Sequence, residues 1–120
     1  MSKKLSMVIY DFMYKKNIEN PSDIWQPIGM GRRSWHALIT KYEGETAQPP
    51  KLALLWVAIG LQLDLEQTKE LLLSQEYALT DDKADKIFIA VIESRIAATT
   101  REESIANAKA EAEAIRALLS

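Results

Sequence analysis

No cysteine occurs in the 120 residues. Disulfides and thiol chemistry are therefore excluded, and a reducing compartment, the cytoplasm, is the simplest expectation. Glycine and proline are scarce, four of each. So few turn-forming positions favour helices over a β architecture. No apolar run approaches the ~18 residues of a membrane span, so no membrane segment is expected. The opening stretch MSKKLSMVIYDFMYKK is broken by Asp11 and lacks a small-residue cleavage site, which speaks against a signal peptide. There is no Gly-rich phosphate loop and no Ser/His/Asp set in a local motif. The carboxylates fall at helix starts and on polar faces. Neither an enzyme nor a small-molecule cofactor is expected. His36 is the only histidine and has no cysteine partner, whereas a metal site takes three or four ligands. Asp81, Asp82 and Asp85 lack the alternating oxygen ligands and the glycine of a calcium loop, so no metal is expected there either.

What is present is a chain of single-domain length with 48% apolar residues, fifteen of them alanine. Net charge is −2 but unevenly spread. Residues 1–51 carry eight Lys/Arg against five Asp/Glu, a balance of +3. Residues 52–120 carry seven against twelve, a balance of −5. Such a division can mark a basic binding half beside an acidic one, or be ordinary scatter.

Apolar residues recur at helical spacing along most of the chain. Leu5, Val8, Ile9, Phe12 and Met13 form one face of a first helix. Asn20 and Pro21 read as the start of a short second helix, SDIWQPI, which Pro27 must end or distort. A Gly-Met-Gly turn leads into a helix from about Arg32 to Tyr42 that buries Trp35, Leu38 and either Ile39 or Tyr42. EGETAQPP reads as a loop. KLALLWVAIGL, apolar nearly all round, reads as a central helix with Gly60 as its C-terminal cap. Asp64 and Gln67 form a capping pair for the next helix, with Leu65, Leu71 and Leu72 on its apolar face. Thr80 reads as the cap of a helix whose first turns hold Asp81, Asp82 and Asp85 as dipole partners. Its inner face is Ala84, Ile87, Phe88, Val91, Ile92 and Ile96. Thr100 and Glu103 form a capping box before an alanine-rich helix. There Ile105, Ala108, Ala112, Ile115 and Leu119 step by three and four, an a/d seam of two heptads. That seam either pairs with a second copy or packs back onto its own domain. Trp25 and Trp56 read as core residues.

A short helix, a glycine turn and a second helix form a helix-turn-helix arrangement. Gly29 permits a positive φ, and Met30 serves as an apolar plug between the two helices. Arg32 and Arg33 fall on the exposed first turn of the second helix. There an arginine can pair with guanine or neutralise a phosphate, or can simply be solvated.

With these residues in view, IGMGRRSWHALITKYEG followed by PPKLALLWVAIGLQLDLEQTKELL resembles the lambda-repressor-like, Cro/XRE family of DNA-binding domains. The resemblance covers about residues 3–75. It also resembles a bacterial subfamily at Ile24, Trp25, Arg32, Trp35, Leu38, Pro50 and Lys51. There SQEYALTDDKADKIFIAVIE extends the likeness to about Ile96. The chain departs from the repressor pattern at Pro21, where a glutamine is usual, at Trp25, where a small alanine is usual, and at Pro27. The resemblance implies an all-α, lambda-repressor-like helix-turn-helix bundle with one or two extra C-terminal helices. It would comprise a DNA-binding domain over 1–78 and a helical extension over 79–120, a candidate dimerisation element. It further implies a transcriptional regulator, of repressor type, that binds double-stranded DNA as a homodimer. Arg32, Arg33, Ser34, His36, Lys41 and Lys51 are the expected contact residues. The alternative is a protein-interaction module on the same fold: an antitoxin, adaptor or phage-encoded inhibitor.

Overall fold

Seven α-helices account for all regular structure among the described residues, 3–42 and 48–120, of the computed structural model. They are α1 (Leu5–Lys15), α2 (Ser22–Trp25), α3 (Arg32–Lys41), α4 (Lys51–Gly60), α5 (Leu65–Ser74), α6 (Lys83–Glu93) and α7 (Arg101–Leu119). The expected all-α class is observed. Most of the EGETAQPP loop, residues 43–47, lies outside the described residues.

The core forms around α4. Leu54, Leu55, Val57, Ala58 and Ile59 are all buried, because α2, α5, α6 and α7 pack on different sides of the same helix. α1 closes the remaining side of the domain against α3 and α5. It contributes Leu5, Ile9, Phe12 and Met13 to the same cluster as Ile28, Trp35, Leu38, Leu71 and Phe88. Each fully buried Leu, Ile or Phe contributes about 1.5–3 kcal/mol, an upper estimate because the unfolded chain is already partly compact.

Helix ends are where local sequence and structure diverge. Gly60 is not the cap of α4. It is the last helical residue, buried, and a Cβ there would lie 2.6 Å from the carbonyl oxygen of Ile24 and 2.7 Å from its Cγ2. Its role is close approach of α2 to α4. The left-handed residue closing α4 is Gln62, with φ 55°. Its N–H donates to Ile59 and that of Leu63 to Ala58, a Schellman closure. The same closure ends α1 at Asn17 and α5 at Glu76, both with positive φ. In each case the next residue is apolar or aromatic (Ile18, Leu63, Tyr77) and packs inward. That burial offsets the cost of a non-glycine residue in this region.

The Asp64–Gln67 capping box is fully formed. The Thr100–Glu103 box is half formed. Thr100 accepts from the Glu103 N–H, but the Glu103 carboxylate turns to the N–H and hydroxyl of Thr99. α6 starts two residues later than Thr80 predicts, with Asp82 at its cap position. It ends at Glu93, so Ile96 leaves the inner face and is 80% exposed. Trp25 and Trp56 are half-buried against the core, with Trp56 edge-on to Phe88 at 5.1 Å between ring centres.

The seam of α7 faces its own domain. Ala108, Ala112 and Ile115 are buried against α4 and α6, and Ile105 and Leu119 are half-buried at either end. A bidentate pair fixes its register: Arg95 Nε and Nη2 donate to the two carboxylate oxygens of Glu111, both at 2.8 Å, and Nη1 donates to the Leu63 carbonyl.

Two substitutions separate close approach from left-handed backbone. Gly60→Ala drives a methyl into a backbone carbonyl that cannot rotate away, and should cost about 1–3 kcal/mol in urea unfolding. Glu76→Gly removes a side chain from the exposed left-handed position and should stabilise by about 0.5–1 kcal/mol.

Candidate functional site

The residues singled out between 29 and 42 form one local structure. α2 keeps regular hydrogen bonding only to Gln26, because Pro27 has no N–H to donate. The chain then closes on Gly29, whose φ of 71° is the left-handed value that glycine tolerates. Gly29 N–H donates to Gln26 and Met30 N–H to Trp25. Met30, expected as a plug between the two helices, is half-buried against the core. Gly31, in extended conformation at φ −74°, takes the N-cap of α3 and has open space where a Cβ would be. α3 begins immediately afterwards.

α3 is divided sharply between two faces. Trp35 and Leu38 are buried and Ile39 half-buried, which pins the helix to α1 and α2. Arg32, Arg33, His36, Ala37, Thr40 and Lys41 are exposed and line one open recess. Neighbours at i and i+4 on a helix stand about 5–6 Å apart at Cβ, so the Arg32/His36/Thr40 and Arg33/Ala37/Lys41 rows run side by side. Thr40 donates its hydroxyl to the His36 carbonyl at 2.7 Å, leaving its oxygen lone pairs free to accept. Lys41 rides over the Tyr42 ring at 5.8 Å. Ser34 is exposed at the edge of this face, outside the recess. α3 contains no acidic residue, and among the described residues none of its cations is ion-paired. Such a surface is electrostatically suited to arrays of anions.

Lys51, the sixth expected contact, stands apart. Its ammonium donates to Asp85 Oδ2 at 2.5 Å. Asp85 is not the exposed dipole partner that its place near a helix start implies. It is buried, and the same oxygen also accepts from the N–H of Thr80 at 2.7 Å and its hydroxyl at 2.9 Å. Burial favours the neutral acid, but the hydrogen bonds from Lys51 and Thr80 outweigh it and hold the carboxyl below its ordinary range. Lys51 thus ties the start of α4 to α6. No signal within either segment marks the pair, because the partners are 34 residues apart.

A second polar node lies at the C-terminal end of α4. Lys16 donates to the Gln62 carbonyl at 2.8 Å, and burial together with the nearby Arg95 guanidinium lowers its pKa. Gln62 donates its amide to Glu111, the partner of Arg95. These side chains join four elements and are occupied with one another. Among the described residues, no group of three or more His, Asp or Glu side chains is arranged to hold a metal ion.

Arg116, in the last turn of α7, was not singled out by any motif. It donates to the Ile28 carbonyl, and its guanidinium lies 4.9 Å from the centre of the Trp56 ring. It thereby reaches the turn that precedes α3.

The chain matches no family model, no curated protein and no solved structure. The functional reading rests on the chemistry of the α3 face.

Asp85→Asn removes the charge that Lys51 and Thr80 satisfy, and should cost about 1.5–3 kcal/mol at pH 7. Because folding lowers the pKa of Asp85 from its ordinary 3.8, the contribution of the carboxylate is complete above that value. It is lost as pH falls through the lower folded value. The stability gap between wild type and variant, read from urea midpoints, should therefore narrow below about pH 4.

Proposed function

We propose that this protein is a sequence-specific DNA-binding transcriptional regulator of phage or bacterial type, a repressor, built on a lambda-repressor-like helix-turn-helix bundle. α2, the Gly29 turn and α3 are its reading motif, and α3 enters the major groove of double-stranded DNA. The observation that carries the proposal is the outer face of α3, where arginines, a histidine and a lysine are collected without an acid while the inner face is buried. A ten-residue helix is about 15 Å long, and the major groove is about 12 Å wide. Arg32 and Arg33 stand at the N-terminal end of the helix, the part that meets base edges in this docking mode. The positive end of the helix dipole adds to their attraction for phosphate. We assign base reading to at least one of the two arginines, with Ser34 or His36 adding a neighbouring contact. Lys41 is assigned to phosphate. Lys51 is given a structural role through Asp85.

The proposal includes a homodimer acting in the cytoplasm on pseudo-palindromic sites. Since the α7 seam is occupied within its own domain, the dimer contact falls on another surface. A second reading, a protein-interaction module, draws on the −5 balance of residues 52–120 and on the exposed Met7, Tyr14 and Leu73.

The test is a mobility shift with duplexes selected from a random pool, run over a salt series. The wild type should bind, with affinity falling steeply as salt displaces it from phosphates. Arg32→Ala or Arg33→Ala should change folding stability by no more than about 0.5 kcal/mol, as at other surface sites. Loss of a guanine pair should cost about 1–3 kcal/mol on the preferred duplex and relax one base pair. Loss of a phosphate contact should weaken all duplexes alike and lower the salt slope by about one. Full affinity in the double variant overturns the assignment of α3. A wild type that binds no duplex favours the protein-interaction reading.

A further inference from the structure

The link between α2 and α3 is weakly determined by its own residues. α2 is four residues long, Pro27 withholds one hydrogen bond, and two of the three residues between Ile28 and Arg32 are glycines. Glycine populates left- and right-handed backbone with similar ease, so Gly29 and Gly31 do little to choose one direction for α3. Gly31 has no neighbour within 4 Å of an added Cβ. The buried Trp35 and Leu38 hold the body of α3 against α1 and α2, but the turn itself needs a restraint from outside the link.

Arg116 meets that need. Three observations converge on it. Its Nη2 donates to the carbonyl of Ile28, in the turn three residues past the end of α2. Its guanidinium stacks over Trp56 of α4, the helix around which the core forms. It also occupies the space beside Gly29, where a Cβ would stand 2.6 Å from Nη2. The φ of Gly29 is what calls for glycine; a side chain there would in addition push the guanidinium of Arg116 aside. Arg116 itself is carried by a helix held firmly further back, by buried Ala108, Ala112 and Ile115 and by the Arg95–Glu111 pair.

From this we infer that Arg116 is a positioning residue for α3: the C-terminal helix acts as a strut that sets the α2–α3 turn, and so the placement of Arg32 and Arg33, without touching the ligand. The consequence for DNA selectivity rests on the reading proposed above; the clamp on the turn does not. A residue that positions base readers affects preferred sites more than random ones. A residue that contacts phosphate affects both equally.

The experiment compares the full-length wild type with Arg116→Ala, Arg116→Lys and Lys109→Ala. The last removes the same charge from an exposed position on the same helix. Two quantities are read: amide hydrogen exchange, and affinity for a selected and a random duplex. Arg116→Ala should speed exchange at Gly29 and Met30 by about tenfold or more while the amides of α4 and α5 keep their rates, the signature of local opening. It should weaken the selected duplex about tenfold, the scale of one lost base pairing, and the random duplex less than about threefold. Arg116→Lys, which can still donate to Ile28, should recover part of both effects. Lys109→Ala should produce neither. Unchanged exchange at Gly29 and Met30 in Arg116→Ala overturns the inference. So does an equal loss on both duplexes with a salt slope lower by about one, which makes Arg116 a phosphate contact. If the wild type prefers no duplex, the DNA reading fails, and the exchange rates alone decide for or against the clamp.

Discussion

Burial of α4 on nearly every side is the constraint on which the other helices depend. Apart from Lys51 at its start, the helix carries no polar side chain, and its apolar residues point in all directions around the axis. Water must be excluded from most of them at once, the exposed Leu52 apart, which takes several neighbours. α2, α5, α6 and α7 supply that cover, and α1 and α3 close around them. At its last turn α4 allows even closer approach, because Gly60 leaves room for the backbone of Ile24. The position of α2, and through the Gly29 turn that of α3, follows from this contact.

The two ends of α4 are also where polar groups are placed inside the assembly. At the start, Lys51 is held by Asp85. Past the end, Gln62 and Leu63 offer backbone carbonyls to Lys16 and Arg95, and Glu111 answers Arg95. Groups this far from bulk water are costly when unpaired, so each pairing selects one arrangement of the helices over slipped alternatives. The apolar contacts supply most of the stability, and the polar ones set register. The α3 face differs in kind. Its cations lie in solvent, contribute little to folding and are left available to a ligand.

Much of the candidate face was legible in the chain. Trp35, Leu38 and Ile39 mark the inner side of α3 by spacing alone, which leaves Arg32, Arg33, His36 and Lys41 facing outward. The positive φ of Gly29 and the burial of Met30 also followed from local reasoning. Lys51 did not. A lysine at a helix start reads the same whether it is solvated or tied to a carboxylate on another helix. Asp85 misled for the same reason, since an acid in a first turn is ordinarily exposed. Gly60 had a plausible local role as a cap, and only its contact with Ile24 shows another. The spacing along α7 marks its seam as apolar, yet an apolar stripe records that it is to be covered, not what covers it.

The sequence by itself determined the helices, the Asp64–Gln67 cap and the two-faced character of α3. These depend on residues within a turn or two of each other, whose hydrogen bonds and side-chain spacing are set by the 3.6-residue repeat. Only the tertiary structure decided that α7 folds back, that Lys51 belongs to Asp85 and Glu111 to Arg95, and that Arg116 reaches the Ile28 carbonyl across 88 residues. Those contacts depend on how whole helices pack about α4. Packing is a property of summed shape and volume that no short stretch contains.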